Sequence, residues 1–335
     1  MSHDLATSNG SDPPRLGVKF IVGAYAASPT LYSWNPDLEQ QYFEGLAGLD
    51  SVRGLELPWI GGLHLHDETW LLGHLPDRFD LVVTDVPHTV RRVAVDASFG
   101  LGSLHDEGRA AAVLDVARLR DDVHRLADHA GRAAVIAVEL HSAPRALNGS
   151  AAHLAKSLYE IASWDWAGAA LVVEHCDTWV PTHEPAKGWM PLAEEIAAIA
   201  GTGVGLSLNW GRSAIELRDG DAVVEQVRQA RDSGVLRGMI LSGAADQPDE
   251  FGAAWEDAHL PFARTDEFQR GSTASLLTLQ RAADAVGAAG EIDWLGIKFG
   301  WPGREGAIAA RVDMIATGLC ALTSIIHNQE VDRVR

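Results

Sequence analysis

An α/β fold with a single (β/α)8 barrel is what this sequence predicts, and three observations predict it. Five apolar runs end in polar groups that a buried strand would not carry further: AVIAVELHSAP at Glu139 and His141, ALVVEHCD at Glu174 and His175, GVGLSLNWGRSA at Asn209, GMILSG at Ser242, and LGIKFGW around Lys298. Helix-like stretches separate these runs, so parallel strands would gather their carboxyl ends at one rim, where barrels place their chemistry. An open doubly wound sheet is the competing arrangement, but no Gly-x-Gly-x-x-Gly turn follows the first apolar run.

The elements follow in order. Residues 1–15, polar and rich in Ser, Asp and Pro, read as a disordered tail, leaving 16–328 for the barrel. VKFIVGAYA (18–26) is a first strand, and PDLEQQYFEGLAGL has the apolar spacing of a first helix. SVRGLELPW is the second strand, followed by IGGLHLHDETWLLGHL with a Gly-rich turn, two histidines and a short helix. DLVVTDVPH (80–88) is the third strand, and VRRVAVDASFGLGSLHDE (90–107) reads as a loop. A long helix over 106–131 closes at Gly131, a C-cap. Strands four to six are AAVIAVEL, GAALVVEH and GVGLSLN, with helices at SAAHLAKSLYEIASWDW, PLAEEIAAIAG and 221–233. VLRGMILSG is strand seven, and the long loop 244–271 has the length of a lid or binding loop. A helix over 272–289, the strand DWLGIKFGW and a last helix complete eight βα units. The strands are rich in Val, Ile and Leu, as strands covered on both faces should be.

Composition narrows the partners. The 335 residues carry a formal net charge of −19 at pH 7 and show no Lys/Arg cluster. Nucleic acids and membrane surfaces, both anionic, are thereby disfavoured. Cys176 and Cys320 make neither a disulfide framework nor a cysteine zinc site. The start of the chain lacks a signal peptide's basic and apolar regions, and no apolar run reads as membrane-spanning, so a cytoplasmic protein is expected. Assembly into a homo-oligomer is left open.

The residues that carry chemistry sit at the predicted rim. Glu139 and Glu174 close adjacent strands, about 4.8 Å apart. There they can share a proton, bind a metal, split acid and base duties, or simply pair with an Arg or Lys. Lys298, between Ile297 and Phe299, either reaches inward to pair with these acids or hold a carbonyl group, or makes a buried structural ion pair. His141 shares a strand face with Glu139, whereas His175, next to Glu174, points elsewhere. His64 and His66 form a His-x-His pair that can chelate a metal or close over the rim. Asn209, Trp210 and Arg212 offer a hydroxyl partner, a stacking face and an anion clamp, or else a capped loop. Of 11 tryptophans, many fall in predicted rim loops, Trp59, Trp210, Trp255 and Trp301 among them, and suit carbohydrate recognition or core closure. His259, near Asp257 in the long loop, can swing over the mouth. Glu56, near the end of strand two, is a further carboxylate beside Trp59.

IVGAYAASPT, RGLELPW, AVIAVELHSAP, SWDWAGAALVVEHCD, NWGRSAIE and HLPFA together resemble the DUF4862 family of xylose-isomerase-like barrels. The resemblance covers nearly all of the chain beyond the tail. It implies kinship with sugar isomerases, epimerases and metal-dependent endonucleases. These commonly hold a divalent metal through a strand-five Glu, a strand-six Asp, a strand-seven His and a strand-eight Glu. Glu174 matches the first of these. Asn209 stands in the second place, Ser242 near the third with His259 as a substitute, and Lys298 in the fourth. The implied metal ligands are therefore Glu174, Asn209 and His259, with two acids replaced by groups that do not supply negative charge.

The expected function is an enzyme acting on a small-molecule carbohydrate by carboxylate-assisted proton transfer, of isomerase, epimerase or lyase type. Glu139 or Glu174 would be the base, and Lys298 or a metal would stabilise the enolate. A glycoside hydrolase using paired glutamates and a non-catalytic sugar-binding barrel are the alternatives.

Overall fold

The computed structural model describes residues 19–266, 268–304 and 306–334, so the expected tail over 1–15 lies outside the described residues. Eight parallel strands close into one barrel in sequence order: β1 (Phe20–Val22), β2 (Val52–Pro58), β3 (Asp80–Thr84), β4 (Val135–Leu140), β5 (Ala170–His175), β6 (Gly205–Asn209), β7 (Leu236–Leu241) and β8 (Trp294–Ile297). The last strand pairs back onto the first through Ile21↔Gly296 and Val22↔Ile297.

Among the described residues, ten α-helices wrap this barrel. They are α1 (Pro36–Ala47), α2 (Glu68–His74), α3 (Val86–Val95), α4 (Asp106–Ala130), α5 (Ala151–Ala162), α6 (Leu192–Ile199), α7 (Trp210–Leu217), α8 (Val223–Asp232), α9 (Leu279–Ala289) and α10 (Ile308–Val334). α4 ends as expected, on Gly131 in the left-handed region (φ 62°). Two helices replace expected loops or strand. The third strand stops at Thr84 and α3 begins at once, with Pro87 in its first turn, where a missing N–H costs nothing. α7 begins on Asn209, whose side chain accepts from the N–H of Gly211 and Arg212. The helix expected from 272 starts only at Leu279, because Ser272 and Ser275 are held in bridges to Ala263 and Ala245 that tie the long loop down.

α10 corrects one expectation. Its span Ile308–Gln329 is, by length and composition alone, long and apolar enough to cross a membrane. In the fold, Met314, Ile315, Leu319, Leu322 and Ile325 of this helix are buried in the main core.

Inside the barrel, alternation along each strand sorts side chains into tiers. Ile21, Val82, Ala137, Ile240 and Trp294 form a small apolar plug. Trp294 fits because β7 carries Gly238 opposite it, where a Cβ would lie 2.0 Å from the indole ring. Two residues further along β3 and β4, and four beyond Trp294 just past β8, the same inward parity delivers Thr84, Glu139 and Lys298 above the plug. Thr84 pairs in register with Glu139, and Glu174 with Ser207, so these residues share one level.

Candidate active site

Glu56 of β2, Glu139 of β4 and Glu174 of β5 converge above the plug, each offering an oxygen within 4.8 Å of the others. Lys298, just past β8, donates to Glu56 Oε1 at 2.5 Å. Arg212 of α7 pairs through Nη1 with Glu174, whose other oxygen accepts from Thr84 Oγ1 at 3.0 Å. Ser207 Oγ donates to Glu139 Oε1 at 2.9 Å. One oxygen each of Glu56 and Glu139 is buried without a hydrogen-bond partner among the described residues. Gly23, at the end of β1, makes the approach of β2 and β8 possible: a Cβ there would fall 2.6 Å from Lys298 Cγ and 2.7 Å from Glu56 Oε2.

Electrostatics separate these groups. Burial pushes the Glu139 carboxyl well above its ordinary 4.5, and the neighbouring Glu174 and Glu56 add to the rise. That rise favours the protonated form of Glu139, which can donate as well as accept. Burial also raises Glu56, against the pull of Lys298. Burial opposes the charge on Lys298, but Glu56, Tyr25 and Glu174 outweigh it and keep the amine protonated. A Schiff base, which needs a neutral amine, does not suit this lysine.

The expected convergence of Glu139, Glu174 and Lys298 is present, but not in an open hollow. Relative exposures are 1% for Glu139 and Glu174 and 0% for Glu56 and Lys298. The roof is Tyr25, which no motif had singled out: its hydroxyl donates to Glu56 Oε1 at 3.4 Å and its ring lies 4.9 Å from the Lys298 ammonium. The only hint in the sequence was its place directly after β1.

Two cavities meet at Tyr25. One, of about 240 Å³, reaches Glu56 and is lined by Trp34, Phe43, Leu57, His64 and His66 among others. The other, of about 650 Å³, reaches Arg212 and is lined by Lys187, Arg218, Trp255, Asp257 and His259 among others. Asp257 anchors the loop side. It accepts from Lys187 Nζ at 2.5 Å and from Arg212 Nε at 3.2 Å, and faces His259 Nδ1 at 3.3 Å. Burial works against its charge, yet Lys187, His259 and Arg212 hold it well below the usual carboxylate range.

Other expected site residues lie elsewhere. β4 ends at Leu140, so His141 does not continue the inward face with Glu139. Its ring packs between Phe99 and Trp189, with Nε2 3.9 Å from Asp85, and burial pushes its pKa down to about 3. Trp59 is buried and donates to Asp122 at 2.8 Å, and Trp210 is likewise in the core, so neither shows a stacking face to a sugar. Trp301 lies under the Arg311 guanidinium, 4.8 Å from its ring, and lines neither cavity. His64 and His66 do line the smaller cavity, but not as a chelating pair. His64 Nδ1 accepts from the N–H of His66 and Asp67, while His66 stacks on Trp34 at 5.4 Å.

The metal set implied by resemblance is not presented to an ion. Arg212 and Thr84 take the Glu174 oxygens, and Asn209 Oδ1 caps α7 and accepts from Ser242 at 2.7 Å. His259 Nδ1 faces Asp257 and Ser242. By spacing alone, Glu56, Glu139 and Glu174 form a buried acid cluster that can hold a metal. Their charge partners argue against a resident ion, since Lys298 and Arg212 already stand on two of the three acids.

Comparison with known proteins agrees with this frame. The profile described as "Domain of unknown function (DUF4862)" matches residues 21–314. The chain belongs to the DUF4862 family. An uncharacterised protein of Salmonella typhimurium strain LT2 is 33% identical over 307 residues, covering 90% of this chain and 95% of that protein. Solved structures share the xylose-isomerase-like barrel at low identity. The IolI protein, with a bound zinc atom, has a TM-score of 0.56 at 11% identity, covering 93% of this chain and 98% of its own. A xylose isomerase domain-containing protein of Salmonella typhimurium LT2 has a TM-score of 0.54 at 11% identity, covering 91% and 97%. D-allulose 3-epimerase of Methylomonas sp. has a TM-score of 0.51 at 13% identity, covering 92% and 98%.

Proposed function

We propose that this DUF4862 protein is an enzyme that moves a proton beside a carbonyl group in a sugar or sugar derivative, as isomerases and epimerases do. The observation that carries the reading is the convergence of Glu56, Glu139 and Glu174 from three strands beside the Lys298 ammonium. Such a step needs a carboxylate to take the proton, an acid to return it, and positive charge at the oxygen that becomes an enolate. Glu174 supplies the carboxylate, and Glu139, whose carboxyl holds its proton more tightly than usual, the acid. Lys298, with Tyr25 above it, supplies the charge and a hydroxyl. The ligand approaches through the cavity that reaches Glu56, and the Tyr25 roof shifts to admit it. Sugar isomerases and epimerases among the fold neighbours support the substrate class. A divalent metal, which the zinc atom in the IolI protein suggests, would have to displace Lys298 or Arg212 from the acids, and no step here depends on one.

A retaining glycosidase holds its two carboxyl groups about 5–5.5 Å apart, flanking the bond it cuts. Here Lys298 and Arg212 are paired with Glu56 and Glu174, an arrangement unlike two carboxyl groups left free to flank a scissile bond. Burial of Glu139, Glu174 and Lys298 is the observation that favours a non-catalytic binding barrel instead.

One experiment separates these readings. The protein is incubated in D2O with a panel of ketoses and aldoses, and deuterium at the carbon beside the carbonyl is followed by NMR. The expected result is incorporation that Glu174→Gln abolishes. Sugars that bind without exchange in the unaltered protein would leave the binding barrel standing and remove the enzyme.

A further inference from the structure

Three carboxyl groups with oxygens within 4.8 Å of one another in a buried site demand positive charge if more than one of them is to ionise. In this chain the demand is met from two sides by side chains. Lys298 enters from the end of β8 and reaches Glu56 at 2.5 Å. Arg212 enters from the first turn of α7 and takes Glu174, braced from behind by Asp257 at 3.2 Å. The backbone is shaped for this. Gly23 leaves room for Lys298 Cγ and Glu56 Oε2 to pass over it, where any larger residue would collide with both. The cations do not use up the acids. Glu56 Oε2 and Glu139 Oε2 are buried and have no hydrogen-bond partner among the described residues.

We infer that Lys298 and Arg212 form a built-in dication that takes the place of a divalent metal among Glu56, Glu139 and Glu174, and that the Lys298 ammonium is the plug of a latent divalent-cation site. Two unit charges on fixed stems balance the acids as one doubly charged ion would. Lys298 is the plug because its nitrogen is held, among the described residues, by groups of the site, Glu56 and Tyr25, whereas Arg212 is also anchored outside it by Asp257. Removing the ammonium leaves the free oxygens of Glu56 and Glu139 beside Glu174, an all-oxygen set of the kind that hard divalent ions take. The inference concerns the charge of the site and stands whether or not the sugar reaction proposed above is correct.

Full-length protein is dialysed against chelator and titrated with Mn2+, with binding read by calorimetry and folding by melting temperature. The unaltered chain is expected to take up no Mn2+ and to melt at the same temperature with and without it. Lys298→Met, and Lys298→Gln as a polar counterpart, are expected to bind one Mn2+ per chain with a raised melting temperature. The gained binding is expected to disappear in Lys298→Met combined with Glu139→Gln. A lysine variant that folds only when Mn2+ is present supports the inference. The inference is overturned if the unaltered chain binds Mn2+ stoichiometrically, if folded lysine variants bind none, or if they fail to fold with and without the ion. Because both readouts are binding and melting, a failure here is distinct from a failure of the exchange experiment.

Discussion

Glu174 and His175 are neighbours at the end of β5, and each organises a buried ionic cluster, one inside the barrel and one outside it. Outside, His175 Nδ1 meets Glu195 of α6 at 2.7 Å and Nε2 meets Glu216 of α7 at 3.1 Å. Ser142 and Gln226 take the remaining oxygens of those glutamates, and the Thr178 N–H adds a third bond to Glu216. Every polar atom of the charged groups His175, Glu195 and Glu216 is satisfied, and only a neutral amide oxygen behind them, Gln226 Oε1, has no partner among the described residues. Inside, Glu56 and Glu139 each keep one buried oxygen without a partner, and so does Asn209 Nδ2. A satisfied network locks helices to a barrel. An unsatisfied one, equally buried, carries a cost that folding alone does not require. The contrast assigns stability to the outer cluster and chemistry to the inner one.

The largest expected effect is on the outer cluster. His175→Leu removes the cation between two buried glutamates and should lower stability by about 3–5 kcal/mol, as breaking a buried pair does. Chemical unfolding measures this. Loss of catalysis at unchanged stability would reverse the assignment of the two clusters. On the inner side, Glu139→Gln keeps the shape and the Ser207 bond and should leave folding intact. It should slow deuterium exchange by about 10²- to 10⁴-fold, the usual worth of a general acid or base.

The two clusters also differ in pH response. Burial opposes the charge on His175, but Glu195 and Glu216 raise its pKa well above 6.5. Its stabilisation is therefore complete below pH 6.5 and is lost as pH rises through the folded value. Glu139 is raised from 4.5 by burial and like charge, so the folded state keeps a proton that the unfolded state gives up. Above pH 4.5 that difference costs the fold progressively more until the folded group ionises. Glu139→Gln should therefore gain stability relative to the unaltered chain as pH rises from 4.5 towards 7. Unfolding curves across this range that stay parallel for the two proteins would mean Glu139 is ionised in the fold.

Much of this was legible in the sequence, for a physical reason. Barrel strands buried on both faces read as apolar runs, and the first inward polar group marks the rim, which is how Glu139, Glu174 and Lys298 stand out. Alternation also separated Glu174 from His175. What stayed hidden depended on neighbours distant in the chain. α7 looked like a loop because Asn209 and Gly211 disfavour helix interiors, yet Asn209 is the cap that starts it. Arg212 was visible as an anion clamp, but not that its anion is Glu174. His141 has the inward parity of Glu139 but lies one residue past the strand, where parity no longer governs direction. Tyr25 and Ser207 carry no pattern of their own. Trp59 and Trp210 show that a tryptophan in a strand-end segment closes a core as readily as it meets a sugar.

The smallest effect tests how a ligand would reach the unsatisfied oxygens. The smaller cavity leads to Glu56, which has a buried oxygen without a partner among the described residues, and the larger leads to Arg212, which is already paired with Glu174. His66 is exposed and lines only the first, stacked on Trp34 at 5.4 Å. Trp255 lines only the second of these two, with Arg218 over its ring at 4.8 Å. His66→Ala should raise KM about twofold to tenfold, the worth of one aromatic contact. kcat should not change, because a wall residue binds ground and transition states alike. Trp255→Ala should leave both constants near their original values. If the tryptophan moves KM and the histidine does not, the ligand enters over Arg212. Its first polar contact is then the dication rather than the free acid oxygens, and the inner cluster meets its ligand from the side that is already charge-paired.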